Sequence, residues 1–225
     1  MEAIIAQNDA NQLVQPLDFT LADAASYIIA REQQTFFSSQ NLVSPNNVRI
    51  AKFQLGGNAF LDLSTCTFAF DISNHSSGTD GLPLHPLTAE AHCLFKRLIV
   101  RVGGTLVESC ELHNVNEEFV RRLLPLEKRK NLASMFLGSK PGTGTNGYDL
   151  ETNQLPKETT KRVLYRPMTC GLLNIKKYWP ALLVGQGITF ELELAPAAEA
   201  VLSTGSQDYT LSNLRVLCDS VTVTS

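Results

Sequence analysis

The stretch from Leu94 to Leu124, LFKRLIVRVGGTLVESCELHNVNEEFVRRLL, constrains the fold of this chain more than any other. Leu94, Lys96, Leu98, Val100 and Val102 share one parity, and Phe95, Arg97, Ile99 and Arg101 share the other. Such alternation marks a strand with one buried face. Gly103-Gly104 then supplies two residues free to take positive φ, as a tight two-residue hairpin requires. A return strand is expected over Thr105–Cys110. Asn114 stands three residues before Glu117, the spacing of an N-cap and its capping-box partner. Val115, Phe119 and Leu123 follow at helical spacing on one face, with Glu118, Arg121 and Arg122 mostly off it, and predict an amphipathic helix. Pro125 ends it. A hairpin running straight into a short helix is architecture, and no catalytic constellation lies inside it.

Around this unit the chain reads as strands and turns. Ser26–Ser38 and Val48–Leu55 are strand candidates, and Phe60-Leu61-Asp62-Leu63 leads into a further one. In that strand Cys66, Phe68, Phe70 and Ile72 alternate with Thr67, Ala69 and Asp71. Ile188, Phe190, Leu192 and Leu194 alternate with Thr189, Glu191 and Glu193 in the best-patterned run of all. Arg162–Cys170 and Tyr209–Thr224 complete about eight strand-like runs, which predict a sandwich or barrel. The long connections and the interposed helix favour an antiparallel eight-stranded jelly-roll over a meander. Phe68, Phe70, Leu98, Val100, Phe190 and Leu192 are the expected core. Pro83 and Pro86 make 82–91 irregular. A helical turn over Leu21–Ala25, a second helix over Glu127–Phe136 and a short helical piece over Pro196–Leu202 are expected beside the strands. Residues 1–20 read as a polar arm ordered only against something else, and 138–153 as a long glycine-rich loop. The resulting organisation is an arm over 1–20 and one domain over 21–225.

Composition excludes several function classes. With 44% hydrophobic residues among 225, the chain is long enough to bury a sizeable core, in one all-β domain or two small ones. A net charge of -3 argues against nucleic-acid binding as its main business. Five widely spaced cysteines without a CxxC give no local zinc signature and read as reduced, mostly buried thiols. No apolar run is long enough to cross a bilayer, and the N-terminus carries no secretory pattern.

Candidate chemistry is thin. GTGTNG at 142–147 lacks the Lys-Ser/Thr that completes a phosphate-binding loop. His75, His85, His92 and His113 lack metal-ligand spacing, and His113 reads as a surface or capping residue. Glu191 and Glu193 share a strand face as a carboxylate pair would, but the alternation explains them as a solvated or intersubunit face. Cys110 lies near His113 in sequence with nothing to activate it. Lys128–Lys130 and Lys176-Lys177 read as solvated charge. No catalytic, metal or cofactor residue is expected, and no enzyme activity.

The segments FFSSQNLVSPNNVRIAKFQLGGNAFLDLSTCTFAFDISN and LFKRLIVRVGGTLVESCELHNVNEEFVRRLLP resemble the first jelly-roll of the double jelly-roll major capsid proteins, in particular those of polinton-like viruses, virophages and related transposons. The resemblance is carried by the order of Phe60-Leu61-Asp62, Phe95-Lys96-Arg97, Gly103-Gly104, Val107-Glu108 and Asn114–Leu124. LLNIKKYWPALLVGQGITFELELAPAAEA and YTLSNLRVLCDSVTVTS look like the end of that jelly-roll. His113-Asn114 departs from the Tyr-Asn pair common in relatives. Members carry a second jelly-roll, which would begin about where Ser225 ends the chain, so the chain is either a fragment of such a protein or a single similar jelly-roll. The resemblance implies a structural capsid protein, with two jelly-rolls per chain and three chains per pseudo-hexameric capsomer of an icosahedral shell. It implies a virion location after synthesis in the host cytoplasm or nucleus. The implied partners are further copies of the chain, with penton or minor capsid proteins besides, no specific nucleic acid and no membrane insertion. Arg121 and Arg122 are then expected at intersubunit contacts. The alternative is a jelly-roll module binding carbohydrate or protein.

Overall fold

Strands pair here in a nested order. The computed structural model describes residues 28–75, 82–88, 90–125, 127–128, 155–181, 187–203 and 205–223. The strands are β1 (Ile28–Phe37), β2 (Leu42–Val43), β3 (Ile50–Leu55), β4 (Phe60–Asn74), β5 (Phe95–Val102), β6 (Thr105–Cys110), β7 (Thr160–Tyr165), β8 (Trp179–Pro180), β9 (Ile188–Leu194) and β10 (Tyr209–Val223). Helix α1 spans His113–Arg122 and α2 spans Ala197–Ala200. Innermost, β5 pairs with β6; outside it β4 pairs with β7, β3 with β9, and β1 with β10, all antiparallel. The chain is thus one long hairpin whose tip is Gly103-Gly104. Rolled up, it forms two sheets, β1-β10-β4-β7 and β3-β9-β5-β6, with β2 added on β10 and β8 on β4. This is the eight-stranded jelly-roll, extended by two two-residue strands.

The tip follows its sequence. Gly103 has φ 56° and Gly104 φ 84°, the left-handed region that a primed two-residue turn needs. Gly103 N–H donates to Gly187 O at 3.0 Å, which fastens the tip to the start of β9.

Between the sheets lies an aromatic core. Phe68 meets Phe53 edge-on at 5.2 Å and Phe190 at 5.7 Å. Phe70 meets Phe95 at 5.6 Å, and Phe95 stacks on Tyr165 at 5.3 Å. All six expected core residues are buried.

Two bulges alter the expected faces. The alternation of β5 puts Phe95 outward with Arg97, yet Phe95 is fully buried. Its pairing with β9 slips between Phe95 and Arg97, and the extra residue turns Phe95 inward. The second bulge fuses Phe60–Leu63 with the strand after it, so that β4 is one 15-residue strand. Leu61 and Leu63 point inward on odd numbers, Cys66, Phe68, Phe70 and Ile72 on even ones. The bulge between them is built by Asp62. Its Oδ1 accepts from the Ser64 amide at 3.1 Å and the Ser64 hydroxyl at 2.5 Å. Asp62 Oδ2 also binds Arg31 of β1 at 2.7 Å, and Arg31 Nε donates to Asp219 of β10 at 2.8 Å. One arginine thereby ties three strands at the bulge.

The arm over 1–20, the turn over 21–25 and the loop over 138–153 lie outside the described residues. So does the second expected helix, apart from Glu127 and Lys128.

Candidate assembly surface

Helix α1 is amphipathic in the reverse sense. Leu112, Val115, Phe119 and Leu123 face outward, exposed by 55, 56, 66 and 73%. The inward stripe is His113, Glu117 and Arg121, exposed by 0, 0 and 4%. The apolar spacing marks the helix, and the structure turns that stripe outward rather than to the core. What decides the orientation is a set of polar partners distant in sequence, most of them in the segment after β7 and the turn before β5.

Glu117 is the centre of that set. Its Oε1 accepts from the amides of Met168 and Thr169 and from the Thr169 hydroxyl, each at 2.7 Å. Its Oε2 accepts from Arg121 Nε at 3.1 Å. Arg121 also pairs with the buried carboxylate of Glu90 and donates to Arg166 O at 3.1 Å. His113 Nε2 is hydrogen-bonded to Tyr165 OH at 2.6 Å. His92 Nε2 lies 2.9 Å from Glu118 Oε2, and Arg122 Nε donates to Glu118 Oε1 at 2.6 Å. The segment leaving β7 thus presents amides and a hydroxyl that the Glu117 carboxylate accepts. Leaving such groups buried and unpaired costs about 1–3 kcal/mol each, which outweighs burying Val115 or Phe119.

These contacts correct four expectations. Glu117 is no capping-box partner, because the donors at 168–169 draw it inward. Asn114 is no N-cap: Leu112 holds that position without a side-chain bond, and Asn114 Oδ1 accepts from the Val115 amide at 3.0 Å inside the first turn. His113 is wholly buried rather than at the surface. Arg121 is enclosed by two carboxylates and cannot reach another subunit, whereas Arg122 is exposed and paired with Glu118.

The cluster is electrically graded. Burial pushes the His113 imidazole down to about 4, helped by the neighbouring His92. The hydrogen bond from His92, then that from Arg122, holds Glu118 down at about 2. Burial raises the Tyr165 hydroxyl well above its ordinary value, and the Cys170 thiol to about 12. These thiols and phenols are therefore neutral near pH 7.

The remaining candidates form no second site. Glu191 and Glu193 lie on the outer face of the four-stranded sheet, where Glu191 meets Lys52 at 3.4 Å and Arg101 at 3.8 Å, and Glu193 meets Arg97 at 2.7 Å. Cys110 accepts from Asn116 Nδ2 at 3.2 Å, while His113 turns away to Tyr165. His75 bonds Thr210 at 2.7 Å, and His85 is half-buried beside Gly205. Lys176 and Lys177 are exposed, and the 142–147 loop lies outside the described residues. Among the described residues no group of three metal-ligating side chains occurs, and no helix is long and apolar enough to cross a membrane.

No family model and no curated protein matches the sequence. Solved structures do match in fold. A quasi-atomic model of the PBCV-1 virus capsid aligns at TM-score 0.58 and 12% identity, over 91% of this chain and 45% of that one. The Faustovirus major capsid protein aligns at 0.53 and 8% identity, over 92% of this chain and 56% of that one. The Sputnik virophage structure aligns at 0.53 and 12% identity, over 92% and 51%. The chain therefore spans about half the length of the structures it matches. At these identities the likeness is one of fold: this chain has the jelly-roll found in viral major capsid proteins.

Proposed function

We propose that this chain is a structural capsid protein, whose jelly-roll packs with further jelly-rolls into pseudo-hexameric capsomers of an icosahedral shell. The observation that carries the reading is the reversed helix. Burying Glu117 and Arg121 satisfies groups within the domain, but it leaves Val115, Phe119 and Leu123 in water, for which a lone domain has no use. A subunit gains an apolar ridge on a rigid mount, which is what a contact surface needs. The fold shared with capsid proteins supports the same reading. On this reading the protein is no enzyme and uses no cofactor. Its partners are other copies of itself, a second jelly-roll and neighbouring penton or minor proteins, and it resides in the virion.

The test is a pair of outward substitutions. Purified protein is sized by light scattering and imaged by electron microscopy, beside the variant Val115→Glu with Phe119→Glu. The parent should form trimers or larger species, burying about 2,000 Å² or more per obligate contact. The variant should stay smaller with its fold intact. A parent that is monomeric at high concentration overturns the capsid reading and favours the binding-module one. Arg121→Glu is no test of assembly, because it breaks a buried ion cluster.

A further inference from the structure

The mount of α1 contains two buried imidazoles that answer a proton differently. His92 has Glu118 within hydrogen-bond distance, so a proton there is met by a carboxylate. His113 has only a phenol, Tyr165. Its other ring nitrogen, Nδ1, like that of His92, is buried with no hydrogen-bond partner among the described residues, so the difference between the two rings is the carboxylate that only His92 contacts. The groups around the pair are Tyr165 of β7, Cys170 beyond it, His92 and Cys93 of the turn before β5, and Glu117 and Arg121 on α1 itself. Neither carboxylate that bonds Arg121 is free to help. Glu117 already takes four donors, and Glu90 is held by Arg121. A cation at His113 would therefore sit buried, beside His92 and against a group that can offer only one lone pair. A charge without a counter-ion in such a place is relieved by exposure to water.

We propose that α1 is a proton-releasable mount: one proton taken up by His113 undocks the helix from β7 and the 91–94 turn and withdraws its apolar ridge from the contact position. The undocking does not depend on the assembly reading; the consequence for the contact does. The sign is fixed by linkage. The docked His113 titrates below its ordinary 6.5, at about 4. Docking is thus unaffected above pH 6.5, weakens as pH falls from 6.5 to 4, and changes no further from this group below that.

Hydrogen exchange on the whole chain tests it, with rates corrected for their intrinsic pH dependence. Amides of Phe119–Arg122 are compared with those of β9 as an internal reference. Between pH 7 and pH 5 the protection of α1 relative to β9 should fall about 20-fold. In His113→Phe with Tyr165→Phe, which removes both polar partners at similar shape, the ratio should hold. A constant ratio in the parent, or an equal fall in the double variant, overturns the proposal. Should the double variant not fold, the parent's own His113 signal decides by NMR. A midpoint near 4–5 supports the mount, and an ordinary one near 6.5 overturns it. Light scattering on the same samples separates the two readings. Release of α1 with no change in particle size leaves the mount standing and removes the assembly role of the ridge.

Discussion

Glu117 and Phe119 lie two positions apart on α1 and have opposite fates. Glu117 holds four donors in a dry site, and Phe119 stands in water. Removing Glu117 takes from Arg121 one of the two carboxylates it bonds and strands the amides of Met168 and Thr169. Glu117→Ala should cost about 3–5 kcal/mol, the usual result of breaking a buried charged set from one side. Phe119→Ser should change stability by no more than about 0.5 kcal/mol. Denaturant unfolding at a concentration too low for assembly checks both, and the reverse order would mean that α1 is turned the other way. The sequence displays the stripe Val115, Phe119, Leu123 and equally the stripe His113, Glu117, Arg121, at the same spacing. Hydrophobicity alone picks the first as the inner face. The correct choice depends on Met168 and Thr169, which lie far off in sequence and carry no pattern that points to the helix.

Among the elements, those with a two-sided environment were legible and those governed by a neighbour were not. The central strands β4, β5 and β9 alternate because each has one face on the core. Their shared inward residues, Phe68, Leu98 and Phe190, follow from that alternation alone. Bulges are different, since a bulge is a mismatch between two strands and neither strand writes it alone. Hence Phe95 was expected outside, and Phe60–Leu63 was read as a lead-in. The hairpin tip was legible because paired glycines have one strong use between strands. Two glycines there can be ranked. Gly104 has φ 84°, so Gly104→Ala should cost about 1–2 kcal/mol from the left-handed backbone alone. Gly187 has φ 67°, and a Cβ there would lie 2.2 Å from Leu55 O. Gly187→Ala should therefore lower the melting temperature more than Gly104→Ala, and equal shifts would contradict the close approach of β9 to the end of β3.

For the whole molecule, the nested pairing has a consequence in time. The β5–β6 hairpin closes within a few residues, whereas β1 waits for β10. Ser220 Oγ reaches Glu32 O across 188 residues of chain. Contacts so remote in sequence make folding slow, in the range of milliseconds to seconds. In stopped-flow refolding, substitutions in the hairpin, such as Val100→Ala, should mainly slow folding. Substitutions at the β1–β10 seam, such as Val216→Ala, should mainly speed unfolding. Equal effects on both rates at both places would mean that no part forms first. The same order governs what the ribosome exposes. While the chain emerges, β1 has no partner strand, and its far partner is the last strand of the roll to be made. Until β10 arrives, the sheet edge of β4 that β10 will cover is open to any other nascent chain on the same message. On the capsid reading, a protein made in many copies at once therefore spends its synthesis in the form most exposed to its siblings. The faster β10 docks on β4, the shorter that edge stays open.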